Sequence, residues 1–144
     1  MAGLFISFST FMMRAFASLE DGEGIRAMQA VNRFIVRPSF LTVFLGTAFL
    51  AIAAAFLAYS VGGPWKLTAF AAAVYAVACI LSTIAFNIPL NNRLETTDPL
   101  AAQGRDFWKQ YLDEWTRWNH VRSVACVITT ILLAFSLTKI CWDC

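Results

Sequence analysis

The stretch PSFLTVFLGTAFLAIAAAFLAYSVGGPW, from Pro38 to Trp65, contains no charged residue, and after Lys66 the chain is uncharged again from Leu67 to Asn92. A helix needs roughly 20 apolar residues, at about 1.5 Å rise each, to cross the hydrocarbon core of a bilayer. Both stretches exceed that length. Gly62, Gly63 and Pro64 break the run between them, so the reading is two membrane-spanning helices, about 39–60 and 65–90, paired as an antiparallel hairpin. Trp65 and Lys66 stand where an interfacial aromatic and a snorkelling cation belong.

The rest of the chain agrees with a membrane protein. Hydrophobic residues make up 59% and charged residues 14%, which leaves a soluble domain of 144 residues too little polar surface to cover itself. The net charge of +2 is mild and the basic residues are scattered, which argues against a nucleic-acid partner. Two further spans are expected at about 1–19 and 119–142. The first is interrupted only by Arg14 and is barely long enough. Read instead as a secretory h-region it lacks a basic n-region and has Arg14 on the wrong flank; a longer natural first helix is the third reading.

Between the spans lie two polar loops. From Glu20 to Arg37 acids come first and arginines later, with Ile25, Met28, Val31 and Ile35 at helical spacing, which predicts an amphipathic helix at the interface. After Asn92, Thr96-Thr97-Asp98-Pro99 reads as a turn, and a helix from about Ala102 runs on into the last span. The expected fold is therefore all-α, an integral membrane four-helix bundle forming one domain over 1–144, with interfacial amphipathic helices in its two long loops. Those loops carry most of the arginines, which by the positive-inside rule makes them cytoplasmic and puts both termini outside.

Two groups of residues could carry chemistry. Trp108, Leu112, Trp115, Asn119, Arg122 and Cys126 share one helical face, with Tyr111 and Trp118 at its edge: an aromatic belt with a snorkelling arginine on composition alone, or a surface that could stack on a planar ligand and hydrogen-bond its oxygens. His120 is the only histidine and the natural candidate for a general base. Its position two residues from Arg122 puts the two on nearly opposite sides of a helix, so one pocket cannot use both from that helix alone. The second group is the amide run at the end of the third span, Asn87, Asn91 and Asn92 around Pro89. Pro89 should kink or end that helix, and the amides either cap the freed backbone or turn inward toward Trp115 and Asn119. No metal site is expected, because a metal usually needs three or more ligands and the acids and cysteines show no ligand spacing. Cys141-Trp142-Asp143-Cys144 reads as a terminal disulfide or incidental thiols, Cys79 and Cys126 as small core residues, and Arg14 as an inward cation or the end of the first span.

These residues resemble a known family. Asn87-x-Pro89-Leu90-Asn91-Asn92 followed by Trp115-x-x-Trp118-Asn119-His120-x-Arg122, with Gly3-Leu4-Phe5, Phe8-Ser9, Met13 and Met28-Gln29-Ala30-x-Asn32 upstream, is similar to the anthrone-oxygenase-like family of small four-helix membrane proteins. Members of that family usually begin their first helix further upstream. The resemblance implies oxidation of anthrones to anthraquinones by molecular oxygen, as in fungal polyketide pathways, with no cofactor. On that expectation His120, Arg122 and Asn119 are catalytic, and Trp115, Trp118, Trp108, Asn87, Asn91 and Asn92 bind the substrate. The expected partners are the lipid bilayer and a small hydrophobic or aromatic molecule, with a homo-oligomer left open. The competing functions are a non-catalytic membrane subunit or scaffold, and a small transporter or redox carrier.

Overall fold

The computed structural model describes residues 1–142, with side chains through Lys139, and these residues form helices and short connections with no strand among them. There are five helices: α1 (Ala2–Ala17), α2 (Asp21–Ile35), α3 (Pro38–Ser60), α4 (Trp65–Glu95) and α5 (Ala102–Trp142). The chain is an all-α, membrane-type helical protein. α3, α4 and α5 are long and apolar enough to cross a membrane, whereas α1 is a shorter apolar helix, about 24 Å at 1.5 Å per residue. Cys141 and Cys144 lie outside the residues whose side chains are described.

The α3–α4 hairpin forms as the glycines and proline predict. Gly63 N donates to Ala58 O at 2.8 Å and Gly62 N to Tyr59 O at 3.2 Å, and Gly62 takes φ of +70°, the left-handed geometry of a Schellman cap. Within the hairpin the polarity of a soluble protein is inverted. α3 buries the small Ala51 and Ala58 and α4 buries Ala71 and Ala72, while Phe49, Leu50, Phe56 and Leu57 lie exposed where lipid would meet them. Small residues let the helix backbones approach, which is what drives packing where lipid removes the hydrophobic effect. α4 in turn packs on α5, joined by the Thr68–Ser136 hydroxyl pair at 2.6 Å, and α1 packs along the other side of α5.

α2 is amphipathic as expected, burying Ile25, Met28, Gln29 and Asn32 on one face. It is clamped rather than floating. Gln29 Nε2 donates to Leu94 O at 2.9 Å and Thr97 O at 3.0 Å, satisfying carbonyls at the end of α4, and Arg33 pairs with Glu95 at 2.8 Å. Gly24 is needed here, because a Cβ would come 2.9 Å from both Phe16 O and the Trp108 ring.

α4 does not end at Pro89 but continues to Glu95. The physical reason lies just upstream, where Tyr75–Leu81 and Thr83–Asn87 adopt π-helical geometry, and such wide turns absorb the hydrogen bond a proline cannot make. A similar wide turn, Phe8–Met12, interrupts α1. The core splits into two parts. One, around Ile25, Met28, Leu94, Trp108, Tyr111 and Trp115, joins α2 to the start of α5; the other, around Phe5, Phe44, Tyr75, Cys79 and Cys126, lies among the spans.

Candidate functional site

Arg122 lies where the two cores meet. It is 5% exposed, its guanidinium carbon 4.7 Å from the centre of the Phe5 ring and 5.0 Å from that of Trp115, so the cation is held against two aromatic faces. Nη2 donates to Asn119 Oδ1 at 3.0 Å and Nη1 to Thr83 Oγ1 at 3.4 Å, while Nε has no partner. Among the described residues the ion pairs are Arg33–Glu95 and Arg117–Asp113, and neither reaches this charge.

Asn119 sets the arginine's geometry. Its Nδ2 donates to Phe5 O and Ser9 Oγ, both at 2.7 Å, which commits both amide hydrogens to α1 and turns Oδ1 toward Arg122. Ser9 Oγ is in turn 2.9 Å from Ser123 Oγ, and Ser123 Oγ donates back to Asn119 O. α1 and α5 are thus sewn together by polar groups at the level of the cation.

One turn nearer the start of α5 an aromatic run begins. Trp108, Tyr111 and Trp115 follow one another at 5.6 and 6.1 Å with nearly parallel rings, and Phe8 tilts against Trp115 at 5.5 Å. Asn91 of α4 accepts from Tyr111 Oη and Trp115 Nε1, each at 2.8 Å, and so fixes the tilt of both rings. Tyr111 precedes the apolar part of α5; burial pushes its hydroxyl above the usual phenol range, opposed by Asn32 and Arg122, which keeps it a neutral donor to Asn91. Asn87, fully buried, donates from Nδ2 to Trp115 O at 3.3 Å.

A cavity of about 160 Å³ opens against this group. Its inner wall is Phe5, Phe8, Phe44 and Trp115, with Arg122, Thr83, Asn91 and Asn32 as the polar lining; its outer rim is formed by Leu4, Val36 and Leu41, all of them exposed. The closed volume is close to that of a roughly 150 Å³ protein cavity that takes up benzene, so one or two rings fill it and a larger ligand extends past the rim.

Of the residues singled out in the sequence, the structure brings Arg122, Trp115 and Asn91 to the cavity, with Asn119 and Asn87 directly behind them. Trp108 is fully buried one step further back. The others are elsewhere. His120 is exposed on the far side of α5, beside Leu112, Asp113, Thr116 and Arg117, because helical spacing sends it away from Arg122. Trp118 stacks on Phe86 at 3.6 Å and lines no part of the cavity; Asn92 is exposed; Arg14 is exposed at the end of α1 and marks that end. Cys79 and Cys126 are buried with sulfurs 3.9 Å apart. Among the described residues no three His, Cys, Asp or Glu side chains gather as metal ligands would. Phe44 and Thr83 carry no signal in the sequence that marks them for the cavity. Phe5, Phe8 and Asn32 stand among the upstream residues of the family resemblance but are given no site role there; Asn32 falls on the same face of α2 as Ile25 and Met28, an amide where the pattern calls for an apolar residue.

No curated protein and no solved structure matches the chain. A family model described as anthrone oxygenase matches residues 36–132, a stretch that holds α3, α4 and most of α5 and therefore Thr83, Asn91, Trp115, Asn119 and Arg122. With more than half of its length inside that match, the chain belongs to the anthrone oxygenase family.

Proposed function

We propose that this protein is a membrane-embedded oxygenase that oxidises a small aromatic substrate held in the Arg122 cavity, using molecular oxygen and no cofactor. The observation that carries the reading is a buried cation without an acidic partner, set in an aromatic-walled cavity. An anthrone-type substrate has an activated methylene next to its aromatic rings. Loss of one proton to water at the rim gives an anion delocalised onto the ring-ketone oxygen, and Arg122, held by Asn119, stabilises that oxygen. The carbanion carbon then adds oxygen to form a peroxide anion, which takes a proton back from water, and the resulting hydroperoxide loses water as its carbon becomes a carbonyl. In sum, an anthrone and one O₂ give an anthraquinone and one H₂O, with no external reductant required. Trp115 and Phe8 provide ring faces against which a planar substrate packs.

His120 is given no part in this, since its side chain lies on the other side of α5. The apolar rim at Leu4, Val36 and Leu41 lets a hydrophobic substrate arrive from lipid. The finer topology we propose is four crossings, with α1 as the fourth beside α5, both termini outside, and the cavity at the cytoplasmic membrane face. The arginines support it: Arg26, Arg33, Arg37, Arg93, Arg105 and Arg117 all lie toward the loop end that carries α2 and the start of α5.

The test is oxygen uptake together with quinone absorbance when anthrone is added to the purified full chain in detergent. Turnover that vanishes in Arg122→Met supports the reading. Turnover absent from the wild-type chain, or equal in Arg122→Met, overturns it.

A further inference from the structure

The side of α5 turned away from the arginine cavity carries a surface of its own. Asp113, Arg117, His120, Val124 and Ile128 follow one another at intervals of three or four residues, so they form one stripe along the helix. Two open clefts lie end to end on it. The first, about 300 Å³, is walled by Leu112, Asp113, Thr116 and Arg117; the second, about 390 Å³, by Val74 and Ala78 of α4 with Val121, Val124, Ala125 and Ile128. His120 borders both, and at that residue the groove changes from charged to apolar. In the apolar half Ala125 is buried while Val124 and Ile128 stand exposed, so the small residue forms the floor and the branched ones the sides.

The groove has the length of a lipid. From Asp113 to Ile128 the helix rises about 22 Å, and half a bilayer with its headgroup layer is about 20–22 Å deep. The polar change falls at a matching depth: the apolar part, from His120 to Ile128, is about 12 Å long, against about 15 Å of hydrocarbon in one leaflet. Trp118, stacked on Phe86 within one turn of His120, marks the same level, since amphipathic aromatic rings settle among headgroups. The charged half offers both signs. Arg117 Nη2 donates to Asp113 Oδ2, and both side chains are exposed, so the remaining guanidinium N–H groups and the other carboxylate oxygen face outward.

We propose that this groove binds one phospholipid of the loop-side leaflet, a lipid whose headgroup carries a primary ammonium beside its phosphate. The phosphate accepts from Arg117 and from the Thr116 hydroxyl, the ammonium donates to Asp113, and one acyl chain lies along Ala78, Val124 and Ile128 between α4 and α5. Charge complementarity selects this headgroup. A headgroup with an anion alone meets repulsion from Asp113, and a quaternary ammonium has no N–H to give the carboxylate. The site requires α4 and α5 to span the membrane and requires nothing of the oxygenase reading, because it lies on the opposite side of α5 from Arg122.

The test places the full chain in nanodiscs with equal amounts of phosphatidylethanolamine, phosphatidylcholine and phosphatidylglycerol of identical acyl chains. Native mass spectrometry then counts the lipids the protein keeps as the discs are dissociated. One phosphatidylethanolamine per chain is expected to outlast the other two lipids with a preference of about threefold, the scale of an exposed ion pair. Asp113→Asn erases the preference over phosphatidylcholine, and Arg117→Gln weakens retention of all three lipids. Val124→Trp, which fills the apolar half from an exposed position, removes the retained lipid. If Val124→Trp does not fold, the two headgroup variants, both at exposed positions, decide. Equal retention of the three lipids, or a preference unchanged in both Asp113→Asn and Arg117→Gln, overturns the proposal. A lipid-free pair of chains that Val124→Trp separates also overturns it, since a second copy would then occupy the groove.

Discussion

The two faces of α5 carry similar side chains and put them to different use. One face presents Trp115, Asn119 and Arg122 to α1 and α4; the opposite face presents Asp113, Arg117 and His120 to the outside. Arg117 has a carboxylate partner, Asp113 at 2.5 Å, but both side chains are about two-thirds exposed, so water screens the pair and it contributes little. Arg122 has no carboxylate, yet each contact it makes counts, because few waters are there to replace a lost one. The difference shows that the chemistry of a residue on this helix is decided by what the neighbouring helices withhold from water. By side-chain type alone the histidine face is the more reactive.

That contrast can be broken from either side. The largest effect is expected for Arg122→Met, which should lower anthrone-dependent oxygen uptake by about 10²–10³-fold, as for loss of an oxyanion donor elsewhere. Next is Asn119→Ala, which removes the acceptor of Arg122 Nη2 and two hydrogen bonds to α1. It should cost about 2–3 kcal/mol in a denaturation series in detergent and lower turnover about tenfold. Asn119→Asp supplies the carboxylate partner that Arg122 lacks and loses the donors to Phe5 O and Ser9, and should lower turnover at least as far as Asn119→Ala. Asn91→Leu strands Tyr111 Oη and Trp115 Nε1, a loss of about 1–3 kcal/mol, with the tryptophan emission shifting as the ring is freed. On the opposite face, Asp113→Asn should change stability by less than about 1 kcal/mol. His120→Ala should leave oxygen uptake within about twofold of the wild-type chain. A large loss there would mean that the outer face takes part in the reaction.

Much of this arrangement is legible in the residues. The uncharged runs at 38–65 and 67–92 and the Gly62-Gly63-Pro64 break give the hairpin directly, because the chain has too little polar surface to cover them and each is long enough to meet lipid along a full crossing. The stripe from Trp108 to Cys126 gathers the aromatic, amide and cationic side chains of α5 on one face, and the two-residue spacing gives the separation of His120 from Arg122. Which of the two faces the cavity is not legible from α5, since the choice is made by Phe5 and Ser9 of α1 and Thr83 of α4, more than 35 residues away in sequence. The course of the helix past Pro89 is only half legible, for a similar reason. The local rule lets a proline either kink a helix or end it, and the wide turn upstream that lets it continue has no signature in the side chains it contains.

That wide turn has a consequence for how the protein can change. A π-helical turn holds one residue more than the α-helical turn it replaces, and each residue rotates a helix by about 100°. Deleting Ile84, Ala85 or Phe86 would therefore let the turn close as an ordinary α turn, leaving Asn91 and the spanning half of α4 facing as before. The extra residue is slack in the count: α4 can lose one residue there and keep its wall, whereas a helix without a wide turn would turn Asn91 away by about 100°.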